Sequence, residues 1–90
     1  MYVVELSFGD APGRLEARPA HRELLAQLYQ EGKLVMAGPY ADDEGALLIF
    51  DVEHEAELDR ILADDPYYSH PAVRVIQRRA WSPILGPRPQ

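Results

Sequence analysis

Ninety residues, 47% of them hydrophobic and 27% charged, suffice for one small globular domain and leave no room for a second. Nine Lys and Arg against fifteen Asp and Glu give a formal charge of -6, which works against binding to phosphate backbones or anionic lipid and excludes nucleic acid and membrane surfaces as expected partners. Cysteine is absent, so disulfides, thiolate nucleophiles and Cys-based metal sites are excluded, and any chemistry must come from His, carboxylate, Arg or Tyr.

Tyr2 to Phe8 is a β-branched and aromatic run, and Gly9, Asp10, Pro12 and Gly13 close it as a turn cluster, which predicts a first strand. This segment has no basic start and breaks its apolar run at Glu5. No later stretch approaches the roughly 20 apolar residues of a membrane span, so a soluble cytoplasmic chain is expected. From Leu15 the period becomes helical. Leu24, Leu25 and Leu28 recur at helical spacing, Pro19 suits a first turn, and Gly32 with Lys33 is a stop signal, predicting a helix over about residues 18–31.

Leu34 to Ala37 runs into Gly38-Pro39-Tyr40, and after the acidic turn Asp42-Asp43-Glu44-Gly45 a second apolar run, Ala46 to Val52, completes a β-hairpin. His54 to Ala63 sets Leu58, Ile61 and Leu62 on one stripe, and Asp64-Asp65-Pro66 ends it, since a residue before proline is pushed out of the helical region. Ala72 to Trp81 supplies a last strand, in which Arg74, Arg78 and Arg79 read as a solvent-side or dimer-contact row. Residues 82–90, with three prolines and a glycine, read as an extended tail outside a domain of residues 1–81.

The order strand, helix, strand, strand, helix, strand is the split βαβ arrangement: an α+β, ferredoxin-like fold with two helices on one face of an antiparallel sheet. Leu47-Leu48-Ile49-Phe50 and Leu34-Val35-Met36 are apolar at consecutive positions, so both faces of the sheet are hydrophobic. Two short helices cover one face only. The expected cover for the other is the same sheet of a second copy, giving a homodimer.

This topology gathers distant segments at one end of the sheet: Asp10 after the first strand, Arg18 and His21 at the start of the first helix, Gly38 and Pro39 at the hairpin, and Asp65 and Tyr67 after the second helix. His21 projects close to the stripe of Leu24, Leu25 and Leu28, a polar residue pointing inward. It is either a core histidine satisfied by a backbone carbonyl or an acid or base, and a helix N-terminus disfavours the imidazolium form. Asp64 and Asp65 sit at the unfavourable end of their helix, which calls for a positive or proton-donating partner; from spacing alone Asp65 reads more readily as a helix-stop residue before a turn than as a catalytic one. Arg18 is expected to hold an anionic group, Tyr67 to donate a hydrogen bond, and Gly38 and Pro39 to shape the cleft wall. His54 and His70 lack metal-ligand spacing and there is no Gly-rich phosphate loop, so no metal and no cofactor is expected.

Three segments are shared with a known family: Arg18-Pro19-Ala20-His21 opening a helix, Gly32-Lys33-Leu34 leading to Ala37-Gly38-Pro39, and Ala63-Asp64-Asp65-Pro66-Tyr67. Over about residues 1–81 the chain resembles the YCII-related (YciI-like) family. The resemblance implies a dimeric α/β barrel similar in fold to muconolactone isomerases, and an active site built on a His and Asp pair, which map to His21 and Asp65. Arg18, Gly38 and Pro39 are further matching positions. Some relatives are lyases acting on chlorinated hydroxyhydroquinones. The hairpin is shorter than in many relatives, and Tyr68-Ser69-His70-Pro71 replaces small residues after the DP motif, which alters the pocket mouth. Three functions compete: a cofactor-free acid-base enzyme of lyase or isomerase type acting on a small ring or enol-like metabolite, a non-catalytic small-ligand-binding module, and a dimerisation domain in which His21 and Asp65 merely stabilise.

Overall fold

Strand alternation divides the apolar residues between two faces, and the register shows how. The computed structural model describes residues 1–86 and runs β1 (Tyr2–Phe8), α1 (Arg14–Gln30), β2 (Leu34–Pro39), β3 (Gly45–Phe50), α2 (Glu55–Asp64), a one-turn 3-10 helix (Pro66–Ser69) and β4 (Val73–Ala80). The four strands form one antiparallel sheet in the order β2-β3-β1-β4. This is the ferredoxin-like α+β fold expected from the element order. Among the described residues no helix is long and apolar enough to cross a membrane. Of the tail expected over residues 82–90, residues 87–90 lie outside the described part, and Ile84 and Leu85 are exposed.

Val4 and Leu6 of β1 lie opposite Leu48 and Ala46 of β3, and these residues, with Phe50, Leu34, Val73 and Leu58 of α2, form the core beneath the helices. The intervening positions Val3, Leu47 and Ile49, together with Met36 of β2, face the other side, as period-2 alternation requires. That face carries no helix, and Met36 stays 52% exposed. On it the Tyr40 hydroxyl donates to the Glu5 carboxylate at 2.6 Å. Gly45 makes room for the crossing: a Cβ there would stand 2.3 Å from the Leu6 carbonyl oxygen and 3.2 Å from the Tyr40 ring.

Two expectations are corrected. Helix α1 starts at Arg14 rather than near residue 18, because Gly13 takes a left-handed conformation (φ 101°) that turns the chain directly into the helix, where Ala17 N–H donates to the Gly13 carbonyl. Pro19 therefore sits inside the helix, not in its first turn, and its missing N–H leaves the Leu15 carbonyl without an intrahelical donor. The arginine row of β4 is also split. A bulge at Glu5/Leu6 shifts the register, so Arg78 lies opposite Val4 on the helical side and pairs with Asp59 and the Glu55 carbonyl of α2. Arg74 and Arg79, opposite Ser7 and Val3, keep to the open face.

The contact at Gly45 makes a direct prediction. Gly45→Ala forces a methyl against a backbone carbonyl and is expected to cost about 1–3 kcal/mol, read as a lowered melting temperature. Gly38→Ala, where a Cβ would meet nothing within 4 Å, is expected to melt within about 0.5 kcal/mol of the wild type.

Candidate active site

Pro66 forces Asp65 out of the α2 helix into an extended conformation (φ -109°, ψ 107°). The carboxylate then turns back over the next residues: its Oδ1 accepts from the Tyr67 N–H at 3.0 Å, which starts the 3-10 turn Pro66–Ser69. Its Oδ2 is left free to accept from His21 Nδ1, at 2.5 Å. Both side chains are buried, at 7% and 6% exposure.

Aromatic rings enclose the imidazole. The Tyr67 ring stacks on it at 4.1 Å between centroids, Tyr68 meets it edge-on at 5.3 Å, and Phe8 meets the edge of Tyr67 at 6.3 Å. Burial lowers the pKa of His21 below its ordinary 6.5 despite the opposing hydrogen bond and charge of Asp65, and Arg22 pushes the same way as burial. The helix terminus invoked from sequence does not apply, because α1 starts at Arg14 and His21 lies two turns inside it. A neutral imidazole donating from Nδ1 to Asp65 carries its lone pair on Nε2, and His21 is among the residues that line the main cavity. Burial, aided by the Asp65 charge, pushes the Tyr68 phenol up, and its hydroxyl is buried without a partner.

That cavity, about 570 Å³, lies between α1 and the outer half of the sheet. It exists because α1 stops short of covering β2: Ala37 and Pro39 belong to the helical side by register yet remain exposed. Arg18, His21, Gly38, Pro39 and Tyr67 line it. Asp65 stands behind His21 and borders a second groove of about 360 Å³ between the two helices. Asp10 is exposed and does not line either space. The Tyr67 hydroxyl accepts from Arg14 Nη1 at 3.1 Å, which leaves its own proton free to donate.

Arg14, Arg22 and Asp43 also line the cavity and were not singled out from the sequence. The signal was present, because residues 14, 18 and 22 are spaced four apart and share a helix face. Starting the helix near residue 18 hid it. Among the described residues no three His, Asp or Glu side chains cluster as a metal site would require.

The depressed imidazole pKa fixes the sign of a pH dependence. Between 6.5 and the lower native value the unfolded chain binds more protons, so this contribution to stability is complete above that window and is lost as pH falls through it. Melting curves from pH 7.5 to 5 are expected to slope downward with acid, and His21→Gln is expected to flatten that slope. A histidine titration by NMR should place the His21 midpoint below 6.5.

Residues 1–82 match the YCII-related domain. No curated protein matches the chain in sequence. Eight chains of known structure match, among them the 5-chloro-2-hydroxyhydroquinone dehydrochlorinase of Burkholderia phenoliruptrix AC1100, solved in complex with 2,5-dihydroxybenzoquinone: 23% identical, TM-score 0.69, covering 91% of this chain and 94% of that one. At that identity the likeness is one of fold. With the family domain spanning all but the C-terminal residues, the chain belongs to the YCII-related family.

Proposed function

We propose that this chain is a small-molecule enzyme that works by proton transfer, of lyase or isomerase type, on a small ring or enol-like compound. The observation that carries the reading is the buried His21–Asp65 hydrogen bond of 2.5 Å, made by a histidine that lines the cavity. Asp65 holds the Nδ1–H tautomer and steadies the imidazolium that forms when Nε2 takes a substrate proton. The electron pair left on the substrate then either expels a leaving group, as in a lyase, or is reprotonated at another carbon by the same imidazolium, as in an isomerase. A ring of the size handled by the dehydrochlorinase with the same fold fits a cavity of about 570 Å³. Arg18 and Tyr67 would bind its oxygens, with Gly38 and Pro39 as the wall.

Turnover of a panel of hydroxylated and chlorinated hydroquinones by the wild type tests this. His21→Ala is expected to lose about 10² to 10⁴-fold in rate while keeping its circular dichroism, since one positioned acid-base group typically supplies that much. Asp65→Asn, which keeps the shape but loses the charge, is expected to impair turnover too. Ligand binding without conversion in the wild type would favour the non-catalytic reading, and full activity in His21→Ala would overturn His21 as the acid-base group.

The open sheet face supports a homodimer. Val3, Met36, Leu47 and Ile49 form an apolar patch with no helix above it. Ile49 is only 8% exposed already, so the gain on pairing two sheets comes from Met36, at 52% exposure, and from the half-buried Val3 and Leu47. Each contributes less than the roughly 1.5–3 kcal/mol of a fully buried side chain. Sedimentation is expected to give two copies at micromolar concentration. Leu47→Glu, on the open side of β3, is expected to give one, because an unpaired carboxylate in that interface costs several kcal/mol.

A further inference from the structure

The cavity carries a charge opposite to that of the chain. In a protein of net charge -6, three of the nine Lys and Arg residues, Arg14, Arg18 and Arg22, line this one space, and Asp43 is its sole carboxylate among the described residues. Arg14 is the best held of the three. Its guanidinium stacks over the Phe8 ring at 3.9 Å, its Nη1 donates to the Tyr67 hydroxyl at 3.1 Å and its Nη2 to Asp43 Oδ2 at 3.1 Å. The side chain is only 12% exposed, against 47% for Asp43. A guanidinium has five N–H donors in a planar fork, so two are engaged and three remain.

We infer that the ligand of this cavity is an anion whose charged oxygens are bound by Arg14, and that Asp43 is a resting counter-ion that the ligand displaces. The inference rests on reading the cavity as the ligand site and names its substrate class; it does not require turnover. Three features point to displacement rather than to a permanent structural pair. The aromatic and phenol contacts fix the guanidinium without help from Asp43. The carboxylate is half-exposed and sits in the β2–β3 turn, where leaving the pair returns it to water, so the bond is one that an incoming anion can replace. Finally, Tyr67 spans the gap to the base: its ring stacks on His21 while its hydroxyl touches Arg14. An oxyanion held at Arg14 therefore sets the rest of a six-membered ring about one phenol length away, beside His21.

The test is equilibrium binding by calorimetry with two probes of similar size, 2,5-dihydroxybenzoquinone, an acidic ring ionised at neutral pH, and hydroquinone, which is neutral there. Wild type, Arg14→Gln, Arg14→Lys and Asp43→Asn are compared at low salt. Asp43 has a positive φ of 56°, a conformation that asparagine also tolerates, so Asp43→Asn removes the charge and keeps the turn. The expected result is that Asp43→Asn tightens the anion severalfold, Arg14→Gln weakens it by tenfold or more, Arg14→Lys falls between, and hydroquinone is indifferent to all three. A merely structural ion pair would weaken binding when either partner is lost. Weaker anion binding by Asp43→Asn, an unchanged affinity in Arg14→Gln, or no binding of the anionic probe by the wild type would overturn the inference. Absence of turnover by the wild type with the binding pattern intact would overturn the proposed turnover alone.

Discussion

The hydrogen bond between His21 and Asp65 joins elements 44 residues apart in the chain, and the surrounding structure is arranged around keeping it dry. Two polar side chains at such low exposure are stable only if each is satisfied. Asp65 meets that condition twice, with the imidazole on one oxygen and the Tyr67 amide on the other. Losing either partner would leave an uncompensated buried polar group, whereas the pair together is self-consistent. Pro66 is the local cause, because without the helix end it imposes, Asp65 would continue α2 and its side chain would not turn back.

The aromatic enclosure ties this bond to the cavity. Tyr67 covers one face of the imidazole, Tyr68 its edge, and Phe8 closes on Tyr67 from the end of β1. Desolvation by these rings keeps His21 uncharged at neutral pH although a carboxylate is in contact with it. The same stack extends outward, since Phe8 and Tyr67 also fix the Arg14 guanidinium. A neutral base and a charged donor are thus positioned by one set of rings. For the proposed chemistry, this allows Nε2 to accept a proton while the site stays attractive to negative charge.

The sheet supplies the space. Helix α1 covers Leu34 at the start of β2 but leaves the rest of its helical side open, and the exposed Ala37 and Pro39 become cavity wall rather than core. The opposite face is apolar at Val3, Leu47, Ile49 and Met36, and is bordered by the charged residues Glu5, Arg74 and Arg79. Close backbone approach at Gly45 holds β3 against β1 where the hairpin turn begins, and that turn carries Asp43 to the cavity rim. The fold and the charge pattern of the site are connected through this short hairpin.

Element order, the ferredoxin-like class and the inward position of His21 were legible in the sequence, because each depends on local periodicity: period 2 in Tyr2–Phe8, helical spacing through Leu24, Leu25 and Leu28, and proline after Asp65. The family followed from three short motifs at compatible spacing. The start of α1 was not legible, since Gly13 acts through a left-handed backbone conformation while Pro19 gives the stronger but misleading local signal. That single displacement concealed Arg14. The bulge between Glu5 and Leu6, which sends Arg78 to the helices and leaves Arg79 on the open face, comes from pairing between strands and leaves no mark in either segment alone. Likewise the sequence placed Asp10 and Tyr67 at one end of the sheet, but only tertiary packing, through the stack of Phe8, Tyr67 and His21 and the reach of the Arg14 side chain, decided which of them lines the cavity.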